Sequence, residues 1–147
     1  MSCGDVETGT PVAGPGAVRN LIISLVVDAT DAERLARFWT AVLGWQVVQR
    51  GAYGVSIGTA GGPLEIDFRL VPDGPKAGKN RLHLDITPVH DDLPAERERL
   101  LALGAREVDV GQGQRRWYVL ADPEGNEFCL CPAPTRPIRS ATVFPNR

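Results

Sequence analysis

This sequence lacks long apolar runs, basic clusters and paired cysteines, and each shortage removes a class of function. No stretch approaches the roughly 18 consecutive apolar residues of a membrane-crossing helix. The longest basic run is Arg115-Arg116 and the formal net charge is −2, so neither a nucleic-acid partner nor a membrane partner is expected. The first residues carry no basic segment followed by an apolar core, so a secretory signal is not expected either. Of the three cysteines, Cys129 and Cys131 stand two apart, on one face of any strand, where they do not readily bridge each other. That pattern offers no disulfide framework, and a cytoplasmic location follows as the expectation. Gly111-Gln112-Gly113 reads as a turn, and no phosphate-cradling loop is present.

What is present fits one domain, since 147 residues lie within the usual single-domain range of about 100–200. Hydrophobic residues at 43% suffice for a packed core, and charged residues at 23% match a globular surface. Residues 1–18 are rich in Gly, Pro and Thr without an apolar period and read as a leader with little intrinsic order. Residues 132–147 contain Pro132, Pro134, Pro137 and Pro145 and read as an extended tail. Its Ile138, Val143 and Phe144 could pin it onto the domain or a partner subunit. The folded part is then 19–131.

Within it, Leu21 to Asp28 is a continuous, β-branched-rich run expected to form a buried strand. Thr30-Asp31-Ala32-Glu33 has the spacing of a capping box. Leu35, Phe38, Trp39, Val42 and Leu43 then fall on one helical face, and Gly44 suits the helix stop. Strand candidates follow at 45–49, 53–58 and 64–71. After a Pro/Gly/Lys linker at 72–80 the order repeats: a strand at 81–87 and a helix near 92–103 with Asp91 or Asp92 as cap and Gly104 as stop. Further strands are expected at 105–110, 115–121 and 126–131. Ala41-Val-Leu-Gly-Trp45 and Leu101-Ala-Leu-Gly-Ala105 echo each other sixty residues apart, as expected of two like units that bury their sheets jointly.

Strand alternation sorts the side chains. Leu82, Leu84 and Ile86 oppose Arg81, His83, Asp85 and Thr87. Leu64, Ile66, Phe68 and Leu70 oppose Glu65, Asp67 and Arg69. Phe128 and Leu130 oppose Glu127, Cys129 and Cys131, and Ile23, Leu25 and Val27 oppose Ile22, Ser24 and Val26. The apolar sets are expected beneath the helices. An unpartnered polar group costs about 1–3 kcal/mol inside a protein, so the polar sets are expected to share a wet, concave cleft. That cleft would be lined by Ser24, Glu65, Asp67, Arg69, Arg81, His83, Asp85, Glu127 and Cys129. A solvated sheet face is the plainer alternative. Trp117 is a further ligand-stacking candidate, whereas Trp39 belongs to the helix's apolar stripe.

Five short motifs, in order, resemble the vicinal oxygen chelate superfamily of glyoxalases, bleomycin resistance proteins and extradiol dioxygenases, and most closely its glyoxalase-like branch. They are the strand-plus-helix from Ile-Ser-Leu-Val-Val-Asp28 to Phe38-Trp39, then Leu43-Gly44-Trp45 and Lys79-Asn-Arg-Leu-His-Leu-Asp85. Leu103-Gly104-Ala105 and Asp122-Pro-Glu-Gly-Asn-Glu-Phe128 complete the set. The resemblance implies an α+β fold: two βαβββ modules, about 19–71 and 80–131, forming a curved mixed sheet around a central cleft, with helices on the outer face. It also implies a small-molecule ligand and a homodimer.

Relatives typically hold a divalent metal with His and Glu from both modules. Carried over, the first-strand His position is Ser24, the second-module His is His83, and the last-strand Glu position is Cys129, with Glu127 one pleat earlier. The set is incomplete, so no cofactor is favoured. A residual set of His83, Glu127, Cys129 and Glu65 is chemically possible for zinc; a metal, if held, would be Zn, Mn or Fe on His83, Glu127 and Glu65. Without one, His83 beside Asp85 and Glu127 could act as a general base, making His83 and Glu127 the catalytic candidates, or His83 could merely hydrogen-bond ligand or water. Three readings follow: a small-molecule-binding, sequestering or resistance protein without a complete metal site; a metal-dependent lyase, isomerase or dioxygenase; or a regulatory module with a vestigial cleft.

Overall fold

A computed structural model describes residues 20–133 except 73, 75 and 91. The leader, the tail from 134 onward, Cys3 and the Asp91 alternative for the second cap lie outside the described residues. The order β-α-β-β-β occurs twice. The first module is β1 (Ser24–Ala29), α1 (Ala32–Leu43), β2 (Gln46–Gly51), β3 (Gly54–Gly58) and β4 (Glu65–Leu70). The second is β5 (Asp85–Ile86), α2 (Leu93–Leu103), β6 (Arg106–Glu107), β7 (Tyr118–Ala121) and β8 (Glu127–Leu130). Each module makes a four-stranded mixed sheet, ordered β1-β4-β3-β2 and β5-β8-β7-β6. In both, the outermost first strand pairs parallel with the last, and the other pairs are antiparallel. The expected α+β fold of two βαβββ modules is the one observed.

The 3.6-residue period of α1 meets the two-residue period of its sheet. Leu35, Phe38, Trp39 and Val42 are buried against Val55, Ile57, Ile66 and Phe68, each large side chain gaining about 1.5–3 kcal/mol from burial. Gly44 ends α1 in the left-handed conformation, and Gly104 ends α2 likewise. Gly54, at φ 148°, lets β3 start tight against β4: a Cβ there would stand 2.0 Å from the Phe68 carbonyl oxygen.

Some expectations fail where an element ends sooner than its composition suggests. Leu21, Ile22 and Ile23 precede β1 and are 73–80% exposed, so β-branched content marked a longer buried strand than β4 can pair. Leu64 and Leu70 are partly exposed at the two ends of β4, beyond the cover of α1, and Leu82 lies outside the two-residue β5 and is 80% exposed. The capping box does not form. Asp31 is the cap, accepting from the Arg34 N–H at 3.0 Å, and Glu33 pairs with Arg50.

Thr30 is diverted to the other module. Its N–H and hydroxyl donate to Glu124 Oε1 at 2.6 and 2.7 Å, and the Asp31 N–H donates to Oε2 at 3.3 Å. At the other end of α1, the Arg99 guanidinium from α2 donates to the Ala41 and Val42 carbonyls, both at 3.0 Å. Midway, Trp39 Nε1 donates to Asp122 Oδ2 at 3.0 Å. Asp122 is fully buried and also accepts from the Glu124 and Asn126 N–H groups and the Asn126 amide, all within its own turn. Phe38, Trp39 and Phe128 pack edge-to-face across the same junction, with centroids 5.0–6.3 Å apart.

Replacing Trp39 by Phe keeps most of the packing but leaves buried Asp122 one donor short. The expected cost is about 1–3 kcal/mol, measured by urea unfolding; a loss smaller than about 0.5 kcal/mol, the ordinary scatter of neutral surface changes, would contradict this role.

Candidate functional site

A cavity of about 570 Å³ opens where the two modules meet. From the first module it takes Leu25, Val26 and Val27 of β1, with Ile66, Phe68 and Trp39 behind them. From the second it takes the run 80–84 leading into β5, and Asn126, Glu127 and Phe128. Its wall is mainly hydrocarbon, and the exposed Arg81 and His83 stand at its rim. Three consecutive residues of β1 and five of the second run line it. The cavity is therefore approached along strand edges, and both pleat phases reach it.

This geometry redistributes the expected cleft. Arg81, His83 and Glu127 line the cavity, while Asp85 and Cys129 gather around His83. Glu65, Asp67 and Arg69 instead line a separate hollow of about 240 Å³ on the first sheet, with Tyr53 and Ser56. Ser24 pairs with Glu65 in register and lines neither space. Trp117 borders a third hollow of about 650 Å³ with Gln112 and Gln114, under the Arg115 guanidinium. Sequence reasoning missed Leu25, Val26, Val27, Asn80 and Leu82 as cavity residues because alternation reports a sheet's faces and says nothing of its edges.

Glu127 is already engaged. Its side chain is 11% exposed, its Oε2 accepts from the Asn80 N–H at 3.0 Å, and Lys76 Nζ lies at 3.2 Å. Burial pushes its carboxyl upward, but the Asn80 N–H and the Lys76 ammonium outweigh that and hold it below the usual 4.5. Such a carboxylate holds the 72–80 linker to β8; it is a weak base with little freedom to reach a substrate proton. His83 Nε2 lies 3.1 Å from Asp85 Oδ1, and His83 of this pair lines the cavity. Burial, aided by the Asp85 charge, pushes the Cys129 thiol up to about 11, so near neutral pH it carries its proton.

The donor set His83, Glu127 and Glu65 considered for a metal is not assembled: Glu65 faces the first-sheet hollow and Glu127 is bound to Lys76 and Asn80. The set spread over both modules that the superfamily resemblance implies does not fit these residues, because Ser24 is a poor ligand and Glu65 lies in the other hollow. A different trio does converge. One ligand atom each of His83, Asp85 and Cys129 lies within 4.8 Å of the others.

Residues 24–131 match the family described as the glyoxalase-like domain. Among curated proteins, none matches the sequence. Similar solved structures include a glyoxalase-related enzyme from Fulvimarina pelagi, at 18% identity and TM-score 0.62 over 84% of this chain and 95% of that one. Another is a glyoxalase/bleomycin resistance protein/dioxygenase family enzyme from Burkholderia phytofirmans PsJN, at 20% identity and TM-score 0.58 over 76% and 97%. An antibiotic binding protein from a Streptomyces species aligns at 22% identity and TM-score 0.52 over 80% and 99%. At such identities the likeness concerns the fold.

Because Glu127 is held below 4.5 in the folded chain, its contribution to stability is complete above that pH and is lost as the pH falls through the lower, folded value. Glu127→Gln is expected to lower stability at pH 7 and to flatten the acid limb of the stability–pH curve. Urea unfolding between pH 7 and 3 checks this, and an unchanged acid limb would contradict it.

Proposed function

The chain belongs to the glyoxalase-like domain family, and we propose that it is a small-molecule-binding member that sequesters a largely apolar ligand in the cavity between its modules. The observation that carries this reading is the cavity itself. At about 570 Å³ it lies within the range of about 300–1,000 Å³ that holds metabolites and drug-sized molecules. Its hydrocarbon wall supplies affinity by desolvation. The rim supplies orientation: Arg81 offers a fixed fork of donors to an anionic or carbonyl group, and His83, held by Asp85, offers a second polar contact. Trp39 and Phe128 give the floor flat aromatic surface.

The volume of the cavity argues against a vestigial cleft. Convergence of His83, Asp85 and Cys129 supports the second reading, a metal-dependent lyase, isomerase or dioxygenase, which turnover by metal-loaded protein would distinguish from binding alone. A homodimer belongs to the proposal, because Leu21, Ile22 and Ile23, in the segment that leads into β1, expose 73–80% of their surface, an apolar stretch of the kind a partner covers. No helix among the described residues is long and apolar enough to cross a membrane. A reducing cytoplasm suits free Cys129 and Cys131.

Anilinonaphthalene sulfonate, apolar and anionic, serves as the probe. Wild-type protein is expected to bind one molecule per chain at the cavity. Leu25→Trp, which fills it, is expected to weaken binding more than tenfold, and the exposed Arg81→Ala severalfold. Binding that neither substitution alters, or no binding by wild type, would overturn the reading.

A further inference from the structure

The hollow of about 240 Å³ on the first sheet owes its shape to small residues on β3. Gly54 and Ser56 stand in register with Arg69 and Asp67 of β4. Opposite residues of an antiparallel pair share a face, so two long β4 side chains flank a strand that carries almost nothing. Gln49 of β2, in register with Ser56, and the exposed Tyr53 complete the wall. On the other face of β4, Ile66 and Phe68 are buried in the core, which fixes the pleat and the spacing of Glu65, Asp67 and Arg69.

The charges in this hollow are unspent. Among the described residues, Glu65, Asp67 and Arg69 form no ion pair, with one another or with any other side chain. Asp28, in register with Arg69 on β1, lines a different hollow with Lys76 and Glu124. Asp67 Oδ1 is shielded from water and has no donor, an unmet need that proteins tolerate poorly.

We infer that this hollow binds a short zwitterion of dipeptide length, with an ammonium at one end and a carboxylate at the other. Successive same-face positions on a strand stand about 6.4–6.8 Å apart, so Asp67 and Arg69 present opposite charges at that spacing. A dipeptide, at about 3.3–3.6 Å per residue, separates its charged ends by a similar distance. Its ammonium meets Asp67, with Glu65 adding negative charge on that side. Its carboxylate meets the Arg69 guanidinium, whose planar fork suits it. The Ser56 hydroxyl and Gln49 amide lie beside them for the peptide group. An ω-amino acid such as 5-aminovalerate has the same length and the same charges, and shares the recognition at both ends. A molecule with only one of the charges leaves the opposite side chain unpaired. The hollow is separate from the apolar cavity between the modules, and neither reading depends on the other.

Full-length protein labelled with nitrogen-15 is titrated with glycylglycine and with 5-aminovalerate, followed through the amide chemical shifts of Ser56 and Asp67. Both are expected to bind saturably, and the tighter one identifies the source as a peptide or an ω-amino acid. Glycylglycinamide lacks the carboxylate, N-acetylglycylglycine lacks the ammonium, and glycine holds its charges too close together. Each is expected to bind about tenfold or more weakly, the scale of one lost charge-assisted contact. The exposed Arg69→Gln is expected to lower glycylglycine affinity to that of glycylglycinamide while leaving glycylglycinamide itself unchanged. Asp67→Asn is expected to do the same relative to N-acetylglycylglycine. This matched pattern separates a lost charge from a lost fold. No saturable shift with either zwitterion, single-charge ligands that bind as well as glycylglycine, or undiminished glycylglycine binding by either variant would overturn the inference.

Discussion

The molecule depends on one helix held by the opposite module. A helix exposes unpaired N–H groups and a partial positive charge at its start, and unpaired carbonyls and a partial negative charge at its end. Here α1 meets the Glu124 carboxylate at its start and the Arg99 guanidinium at its end. Both signs are right, and both partners come from the second module. Each exposed cap adds about 0.3–1 kcal/mol. The larger share lies between them, where the Trp39–Asp122 bond and the Phe38, Trp39 and Phe128 cluster are buried. The Asp122-Pro-Glu-Gly-Asn126 turn thereby presents one carboxylate to the indole and another to the helix start. Its sequence is a structural clamp.

Clamping α1 from both sides positions the cavity. The helix carries the first sheet, the turn belongs to β7 and β8, and joining them sets the edge of β1 opposite the run that leads into β5. β1 and β5 are the outermost strands of their sheets and do not pair with each other, so a space remains between the two edges. Hydrocarbon from β1 and polar groups from the second module therefore share one wall, which makes the cavity apolar inside and polar at its mouth. Trp39 serves both ends of this arrangement: its N–H anchors the junction and its ring forms part of the floor.

Much of this was legible in the sequence. The apolar stripe of α1, the glycine stops at Gly44 and Gly104, and the doubled element order follow from local periodicity, and the family resemblance joined them into the fold. The alternation of Glu65, Asp67 and Arg69 against Ile66 and Phe68 was also correct about faces. It failed to bring those three residues to His83, since alternation does not say how two sheets meet. For the same reason alternation groups Val26 with Ser24 and sends Leu82 with Leu84 beneath the helices, whereas both line the cavity. Thr30 illustrates a second limit: a hydroxyl at capping spacing has a local partner in sequence, and only the tertiary structure supplies Glu124 as a better one. The acidic part of the donor trio, Asp85, was on the right face, but register with Cys129 exists only once β5 and β8 pair.

If α1 truly belongs to both modules, neither module can open alone. Native-state hydrogen exchange measures this directly. The slowest amides of β3, around Ile57, and of β8, around Phe128, should share one opening free energy and one urea dependence, the mark of a single cooperative unit. Two distinct values, with the first module keeping its protection after the second has lost it, would contradict the clamp.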